Sequence, residues 1–321
     1  MTTLRLGTRG SQLALYQART VAALVAEAAG VHCELVIIRT SGDRMADRPV
    51  SEAGGKRLFV KEIEDALLAG TVDVAVHSSK DLPAELPDGL EIGAVLPRDD
   101  PADVLVQRGV SGTDFDTLAR QLGNARIGTG SIRRIAQLRR VLPDGRFEPI
   151  RGNLDTRLRK LDSGDYDVLV LAAAGMRRLN LAERISAVIS PDICVPAPGQ
   201  GIIAIEIRAD DARTRAAVAA VDDPDTAVAL RAERALVVAL GGGCQMPIGG
   251  LCRLTHGVVD LIGVVASLDG SQLVRHRKLG PRQAASDVGR DLGEQLLRDG
   301  AAEILAEARA EGSRIADPHG P

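Results

Sequence analysis

No tryptophan occurs among the 321 residues, and aromatic residues make up only 2% of the chain. Proteins that hold single strands of nucleic acid stack bases on aromatic rings, and a formal net charge of -3 offers no basic surface for phosphates. Nucleic acid is therefore not an expected partner. Cysteine is scarce too: Cys33, Cys194, Cys244 and Cys252 form no CxxC pair, are too few for a secreted disulfide scaffold, and stand at no metal-ligand spacing from His32 or His77. No metal is expected. No apolar run approaches the roughly 20 residues that cross a bilayer, and the opening Met1-Thr2-Thr3-Leu4-Arg5-Leu6-Gly7 lacks the apolar region of a signal peptide. These absences lead us to expect a cytoplasmic chain with reduced thiols and no membrane partner.

Lysine is the remaining shortage. Of 40 basic residues only Lys56, Lys61, Lys80, Lys160 and Lys278 are lysine, and three of them fall within residues 56–80. Arginine and lysine differ in donor layout and desolvation, so a site can demand one of them; retention on a solvated face is the plainer alternative.

What is present is ample for several cores: 45% hydrophobic and 26% charged residues, in a length that suggests two or three domains. Short β-like runs alternate with helical spacing over the first 100 residues. Leu4-Arg5-Leu6 leads through Gly7-Thr8-Arg9-Gly10-Ser11 into a helix ending near Gly30. Cys33–Ile38 and Asp73–Val76 read as strands, with a helical pattern from Leu58 to Leu68 between them. Residues 105–195 repeat the theme, and Ile127-Gly128-Thr129-Gly130-Ser131 echoes the first turn closely enough to hint at internal duplication. Such alternation predicts parallel sheets flanked by helices, with ligands at the carboxyl ends of the strands, where both turns lie. From about residue 222 a helix over Thr226–Leu240, a glycine-rich turn at 241–243, a hairpin around Asp269-Gly270 and helical stretches over Gln283–Glu311, with breaks at Gly289, Gly293 and Gly300, predict a small α+β domain.

Several clusters could carry chemistry. A helix amino terminus presents unpaired N–H groups and partial positive charge to anions, and Ser11 and Ser131 stand where either an anion ligand or a simple N-cap is expected. Arg133 and Arg134 oppose the helix dipole there, which an anion bound between them would offset. Arg151 and Arg157 flank another strand-to-helix turn on the same edge. With Arg9, Lys56 and Lys80 they predict a cationic cleft for a ligand rich in carboxylates, which arginine grips bidentately. Phosphate is the competing guess, but neither a Walker loop nor GxGxxG is present. Asp81, beside Lys80 at the end of a strand, fits a catalytic carboxylate or a turn residue before Pro83. Cys244, in Gly242-Gly243-Cys244-Gln245-Met246-Pro247, has room for a bulky adduct, although most cysteines are inert. Cys33 and Cys194 sit in apolar contexts and fit the inert reading.

Taken in order, Thr8-Arg9 with Ser11, Leu13 and Ala14, Gly54-Gly55-Lys56 with Leu58-Phe59-Val60-Lys61, His77-Ser78-Ser79-Lys80-Asp81-Leu82-Pro83, Gly128-Thr129 with Ser131-Ile132-Arg133-Arg134, Arg151-Gly152-Asn153 with Thr156-Arg157-Leu158, Pro196-Ala197 with Gly199-Gln200-Gly201, and Gly242-Gly243-Cys244-Gln245 with Pro247-Ile248-Gly249 resemble the porphobilinogen deaminase (hydroxymethylbilane synthase) family along nearly the whole chain. The resemblance implies two doubly wound α/β domains like those of bilobed solute-binding proteins, with the chain returning to the first after the second, plus a small α+β third: residues 1–101 with 199–221, 102–198 and 222–321. It implies a dipyrromethane cofactor on a Cys244 thioether and a cytoplasmic, monomeric enzyme that condenses four porphobilinogen units, with loss of ammonia, into hydroxymethylbilane. Asp81 would be catalytic. Lys80, Gly128, Thr129, Ser131, Arg133, Arg134 and Arg157 would hold the cofactor. Arg9, Ser11, Lys56, Phe59, Arg151, Arg157, Arg178 and Gln200 would hold the substrate. Arg57, where the family often has glycine, and Gly241, where an acidic residue is common, depart from its pattern. An anion-binding bilobed protein without catalysis is the alternative from another class.

Overall fold

The computed structural model describes residues 3–44, 59–242 and 246–316. The first sheet gathers β1 (Leu4–Thr8), β2 (Cys33–Ile37), β3 (Val74–Ser78), β4 (Leu90–Val95) and the much later β10 (Ile203–Arg208) in the order β2-β1-β3-β10-β4. The second holds β5 (Asp103–Gln107), β6 (Arg126–Gly128), β7 (Arg146–Glu148), β8 (Val168–Ala172) and β9 (Ala187–Ile189) in the order β7-β6-β8-β5-β9. Neither sheet is purely parallel. β10 runs antiparallel to both neighbours, and so does β5. The departure from the expected parallel sheets has a topological cause: each is the strand by which the chain enters a sheet from the other one, through residues 96–102 and 190–202.

The hint of duplication has a physical counterpart. Arg5 at the start of β1 takes a bidentate grip on Asp73, at 2.7 and 3.0 Å, and donates to the Gly70 carbonyl. Arg126 at the start of β6 grips Asp167, at 2.8 and 3.2 Å, and donates to the Gly164 carbonyl. In both lobes the arginine ties the first strand to the central strand beside it, β1 to β3 and β6 to β8. Apolar side chains fill each sandwich: Leu6, Val74, Val76 and Ile205 in the first lobe, and Leu105, Ile127, Val168 and Leu138 on one face of the second sheet.

Helix α1 (Gln12–Ala29) opens on Ser11, whose Oγ accepts from the Ala14 N–H. After the helices α2 (Ser41–Arg44), α3 (Lys61–Leu68), α4 (Phe115–Leu122), α5 (Ile132–Leu138), α6 (Leu154–Asp162), α7 (Ala173–Arg178) and α8 (Ala212–Ala219) comes α9 (Pro224–Ala239), capped by Asp223 with Pro224 in its first turn. It packs under the antiparallel sheet of β11 (Ile248–Thr255), β12 (Val258–Ala266) and β13 (Leu273–Pro281), beside α10 (Ala285–Leu296) and α11 (Ala302–Ala316). Gly289 and Gly293 do not break α10. A Cβ on Gly289 would lie 2.2 Å from the Ala232 carbonyl oxygen, so these glycines let α10 approach α9; the break falls at Gly300, with φ 108°. Glu233 of α9 is buried and joins the third sheet to both crossings, accepting from Arg98 at 2.5 Å, from Gly199 N–H at 2.6 Å and from Cys252 N–H at 2.7 Å.

Candidate active site

A cleft of about 650 Å³ opens where the three sheets meet. The turn after β3 supplies Ser79 and Lys80, the amino end of α5 supplies Ser131 and Arg133, and Met246 and Ile248, which follow Cys244 in the chain, line the far wall. Gly199 of the second crossing lies under this turn with φ 75°. A side chain there would place Cβ 2.7 Å from Ser79 Oγ and 3.1 Å from the Lys80 nitrogen, so only glycine lets the crossing seat the turn.

Both serines of the two matching turns cap their helices: Ser11 Oγ accepts from Ala14 N–H at 3.3 Å and Ser131 Oγ from Arg134 N–H at 3.4 Å. The cap reading therefore holds for both, and only Ser131 also lines the cleft. Gly128 and Thr129 act on the shape of the second turn. A Cβ on Gly128 would stand 2.5 Å from Leu169 Cδ2, and buried Thr129 accepts from Ser131 N–H through Oγ1.

The anion between Arg133 and Arg134 is the protein's own. Asp103, at the start of β5 and fully buried, accepts from Arg133 Nη1 at 2.7 Å, Arg134 Nη2 at 2.7 Å, Arg134 Nε at 3.0 Å and Gln200 Nε2 at 2.9 Å. Burial alone would raise its carboxyl pKa, but the two guanidiniums overcome that and hold it far below the ordinary carboxylate range. Nothing local in the sequence marks Asp103, which is separated from its arginines by 30 and 31 positions. Gln200 is likewise buried behind the cleft: its amide is engaged by Asp103, by the Pro101 carbonyl and, through Oε1, by Lys80 Nζ at 3.2 Å. Gln200 thus bridges Lys80 and Asp103. Cys194 packs in the apolar core of the second lobe, as expected, with its sulfur at the edge of the charged group. Its thiol lies 3.2 Å from Arg133 Nη1, and burial pushes its pKa up to about 12.

Lys80, joined to this network through Gln200, lines the cleft with Arg133 and Arg234. Desolvation, followed by the nearby Arg134 charge, lowers its pKa to about 8, against the pull of Asp81 and Asp103. Arg157, from the other lobe, is lowered to about 10 by desolvation and then by Arg134, with Asp81 opposing. Asp81 therefore sits in the field of a cation from each lobe. It ends the short turn Ser79–Asp81, which closes with Leu82 N–H on the Ser79 carbonyl. Arg157 also donates to the Gly152 carbonyl at 2.8 Å, and the half-buried Arg151 adds to its charge crowding.

The remaining expected residues scatter more widely. Arg9 stands at the carboxyl end of β1, over the Phe59 ring at 4.4 Å and paired with Asp43 at 2.5 Å. Arg178 turns toward the second crossing, donating to the Gly201 carbonyl at 2.6 Å and facing Asp99 at 3.4 Å. Lys56 and Cys244, with the departing Arg57, lie outside the described residues. Two buried polar atoms of cleft-lining residues, Ser79 Oγ and Arg133 Nε, have no hydrogen-bond partner among the described residues. An unpaired buried donor is costly, and the residues that carry these two donors line the cleft beside Lys80. Among the described residues no cluster fit to hold a metal ion occurs, and no helix is long and apolar enough to cross a membrane.

Residues 4–216 match the family model described as the dipyromethane cofactor binding domain of porphobilinogen deaminase, and residues 227–298 match the model of its C-terminal domain. A porphobilinogen deaminase of Syntrophobacter fumaroxidans is 50% identical over 305 residues, covering 95% of this chain and 97% of that protein. One from Syntrophus aciditrophicus is 46% identical over 310 residues, covering 96% and 99%. Among solved structures, the VFT2 domain of Bordetella pertussis BvgS aligns with a TM-score of 0.42 at 14% identity, over 68% of this chain and 86% of that one.

Proposed function

The chain belongs to the porphobilinogen deaminase family, and from that premise we propose how its residues divide the reaction. The enzyme condenses four porphobilinogen units, with loss of ammonia, into hydroxymethylbilane on a dipyrromethane primer; the reading as a binding protein without catalysis falls away. When bound, the dipyrromethane supplies the free pyrrole α-carbon from which the chain grows.

The observation that carries the assignment of residues is the convergence of Lys80, the unpaired Arg133 Nε and the unpaired Ser79 Oγ on one cleft, reached by the chain just after Cys244. In our reading Cys244 bears the cofactor, while Lys80, Ser131 and Arg133 hold its carboxylates. Arg134 acts from behind, through Asp103 and through its charge on Lys80 and Arg157. Gly128 and Thr129 shape the turn. Arg157 and Arg151 face the incoming unit from the second lobe, and Arg9 with Phe59 and Ser11 does so from the first; Lys56 and Arg178 complete the set. Porphobilinogen that loses ammonia becomes a cation delocalised over its pyrrole. Asp81 stabilises that charge as it develops and takes the proton released when the new carbon–carbon bond forms. Asp103 cannot substitute, because both its oxygens are held by guanidiniums.

The reading divides the chain at residues 101/102, 198/199 and 221/222, supported by the return of β10 to the first sheet. It places the enzyme in the cytoplasm as a monomer; the free thiols of Cys33, Cys194 and Cys252 support the first. The test is the intact mass of the denatured protein, which should exceed that of its sequence by one dipyrromethane and react with Ehrlich's reagent. Cys244→Ser should abolish both the adduct and turnover, whereas Cys33→Ser should keep them. Fully active protein of unmodified mass would refute the reading.

A further inference from the structure

Asp43 belongs to none of the motifs above, yet it makes the closest contact to Arg9. Its Oδ1 accepts from Arg9 Nη2 at 2.5 Å and from Nε at 3.2 Å. Its Oδ2 accepts from the Thr40 hydroxyl at 2.9 Å, from the Thr40 N–H at 3.2 Å and from Arg9 Nε at 3.3 Å, while the Asp43 N–H returns to Thr40 Oγ1 at 3.3 Å. This reciprocal arrangement across three residues is a capping box. It fixes the carboxylate without any help from Arg9, and together with Arg9 it keeps the Asp43 carboxyl below its usual pKa although burial opposes this.

A guanidinium can meet carboxylates along two edges, one formed by Nε and Nη2 and one by Nη1 and Nη2. Asp43 occupies the first. Phe59, 4.4 Å below the guanidinium carbon, sets the plane. No acceptor among the described residues takes Nη1. Arg9 and Asp43 remain 19% and 22% exposed, so the second edge is reachable. Arg9 follows β1, which pairs in parallel with β3, so it stands on the same sheet edge as Lys80 and Asp81.

We propose that Asp43 is a positioning residue for substrate: by clamping the Nε–Nη2 edge of Arg9 from a preformed cap, it leaves the Nη1–Nη2 edge, in a fixed plane, for one carboxylate of the incoming porphobilinogen. The proposal rests on the reading of Arg9 as a substrate ligand. A planar donor pair held in register lowers the ordering cost of binding, so its loss should show in KM more than in kcat.

The test is steady-state tetrapyrrole release by adduct-loaded protein, with folding checked by thermal melting and loading by intact mass. Asp43→Asn should raise KM for porphobilinogen about tenfold and keep kcat within about threefold, as expected for losing one charged clamp. Arg9→Lys, which has no planar fork, should raise KM at least as far, and adding Asp43→Asn to it should change KM by less than about twofold. If Asp43→Asn does not fold, Thr40→Val, which keeps the charge but removes one hydrogen bond holding it, should still raise KM about twofold to fivefold. An unchanged KM in Asp43→Asn beside a raised one in Arg9→Lys overturns the positioning role and spares the reading of Arg9. An unchanged KM in Arg9→Lys overturns both, and so sets the two failures apart. Multiplicative effects in the double variant, or an unchanged KM in Thr40→Val, also overturn the positioning role.

Discussion

The two lobes use the same strand–turn–helix device and arm it in opposite ways. In the first, the serine-capped turn carries Arg9, which shares a partly exposed pair with Asp43 and keeps one edge without a described partner. In the second, the serine-capped turn leads to Arg133 and Arg134, both buried and both held by one buried carboxylate, Asp103. A buried pair is rigid because separating it leaves a charge without solvent; an exposed pair is cheap to rearrange. The second lobe suits a ligand held permanently, and the first a ligand that arrives and is consumed. Asp81 lies between them, in the field of Lys80 from the first lobe and Arg157 from the second.

The largest effect should come from Asp81, the carboxylate in the field of Lys80 and Arg157. Asp81→Ala should lose on the order of 10²–10³ in steady-state tetrapyrrole release, measured on protein whose mass confirms the adduct, and Asp81→Glu should retain slow turnover. If loaded Asp81→Ala were comparably active, Asp43 or Asp103 would have to be serving as the anion, and the division drawn here would collapse.

Stability should separate the two pairs next. Asp103→Asn strands two buried guanidiniums and should cost about 3–5 kcal/mol, with failure to assemble the adduct. Asp43→Asn should cost less than about 1 kcal/mol. Urea melts of both proteins without cofactor give the comparison directly, and equal losses would contradict the contrast between locked and open arginines.

Lys80 adds a pH signature to the apoprotein. Its folded pKa of about 8 lies below the ordinary 10.5, so between those values the unfolded chain holds a proton that the folded one has shed. Stability should therefore rise with pH across that window, because the cost of the desolvated ammonium is full below about 8 and fades toward 10.5. In the adduct-free Cys244→Ser background, Lys80→Met should remove that slope from thermal melts; a slope that persists would assign it to another group. The smallest effects should come from the caps. Ser11→Ala and Ser131→Ala should each cost about 1 kcal/mol, and only Ser131→Ala should also weaken retention of the cofactor, as read by the fraction of protein carrying the adduct.

Much of this was legible without coordinates. The helix opening at Ser11, the strands about Val74 and Val168, and the helix beginning at Asn153 follow from apolar spacing and capping residues, and these are energies felt within one turn or one strand. Motif by motif, the cleft's Lys80, Ser131 and Arg133 were also within reach, as was Asp81 next to Lys80. Gly289 and Gly293 were misread as breaks because glycine signals both a weak helix and a close approach, and only the Ala232 carbonyl 2.2 Å from a would-be Cβ distinguishes them. Asp43 was missed although Thr40-Ser41-Gly42-Asp43 is a readable capping box, since nothing local connects it to Arg9, 34 residues away.

By itself, the sequence pointed to a cationic cleft for a carboxylate-rich ligand, and its ordered motifs carried the resemblance that implies a covalent anchor on Cys244. Only the tertiary structure decided which charges remain available to that ligand. Asp103 shares its one carboxylate between the two arginines that the sequence set at the anion turn, and Gln200, 97 positions further on, ties that group to Lys80. The physical reason is that local patterns fix backbone geometry through contacts a few residues apart, whereas the partner of a buried charge is chosen through space, where two chain crossings bring distant residues into one volume without water.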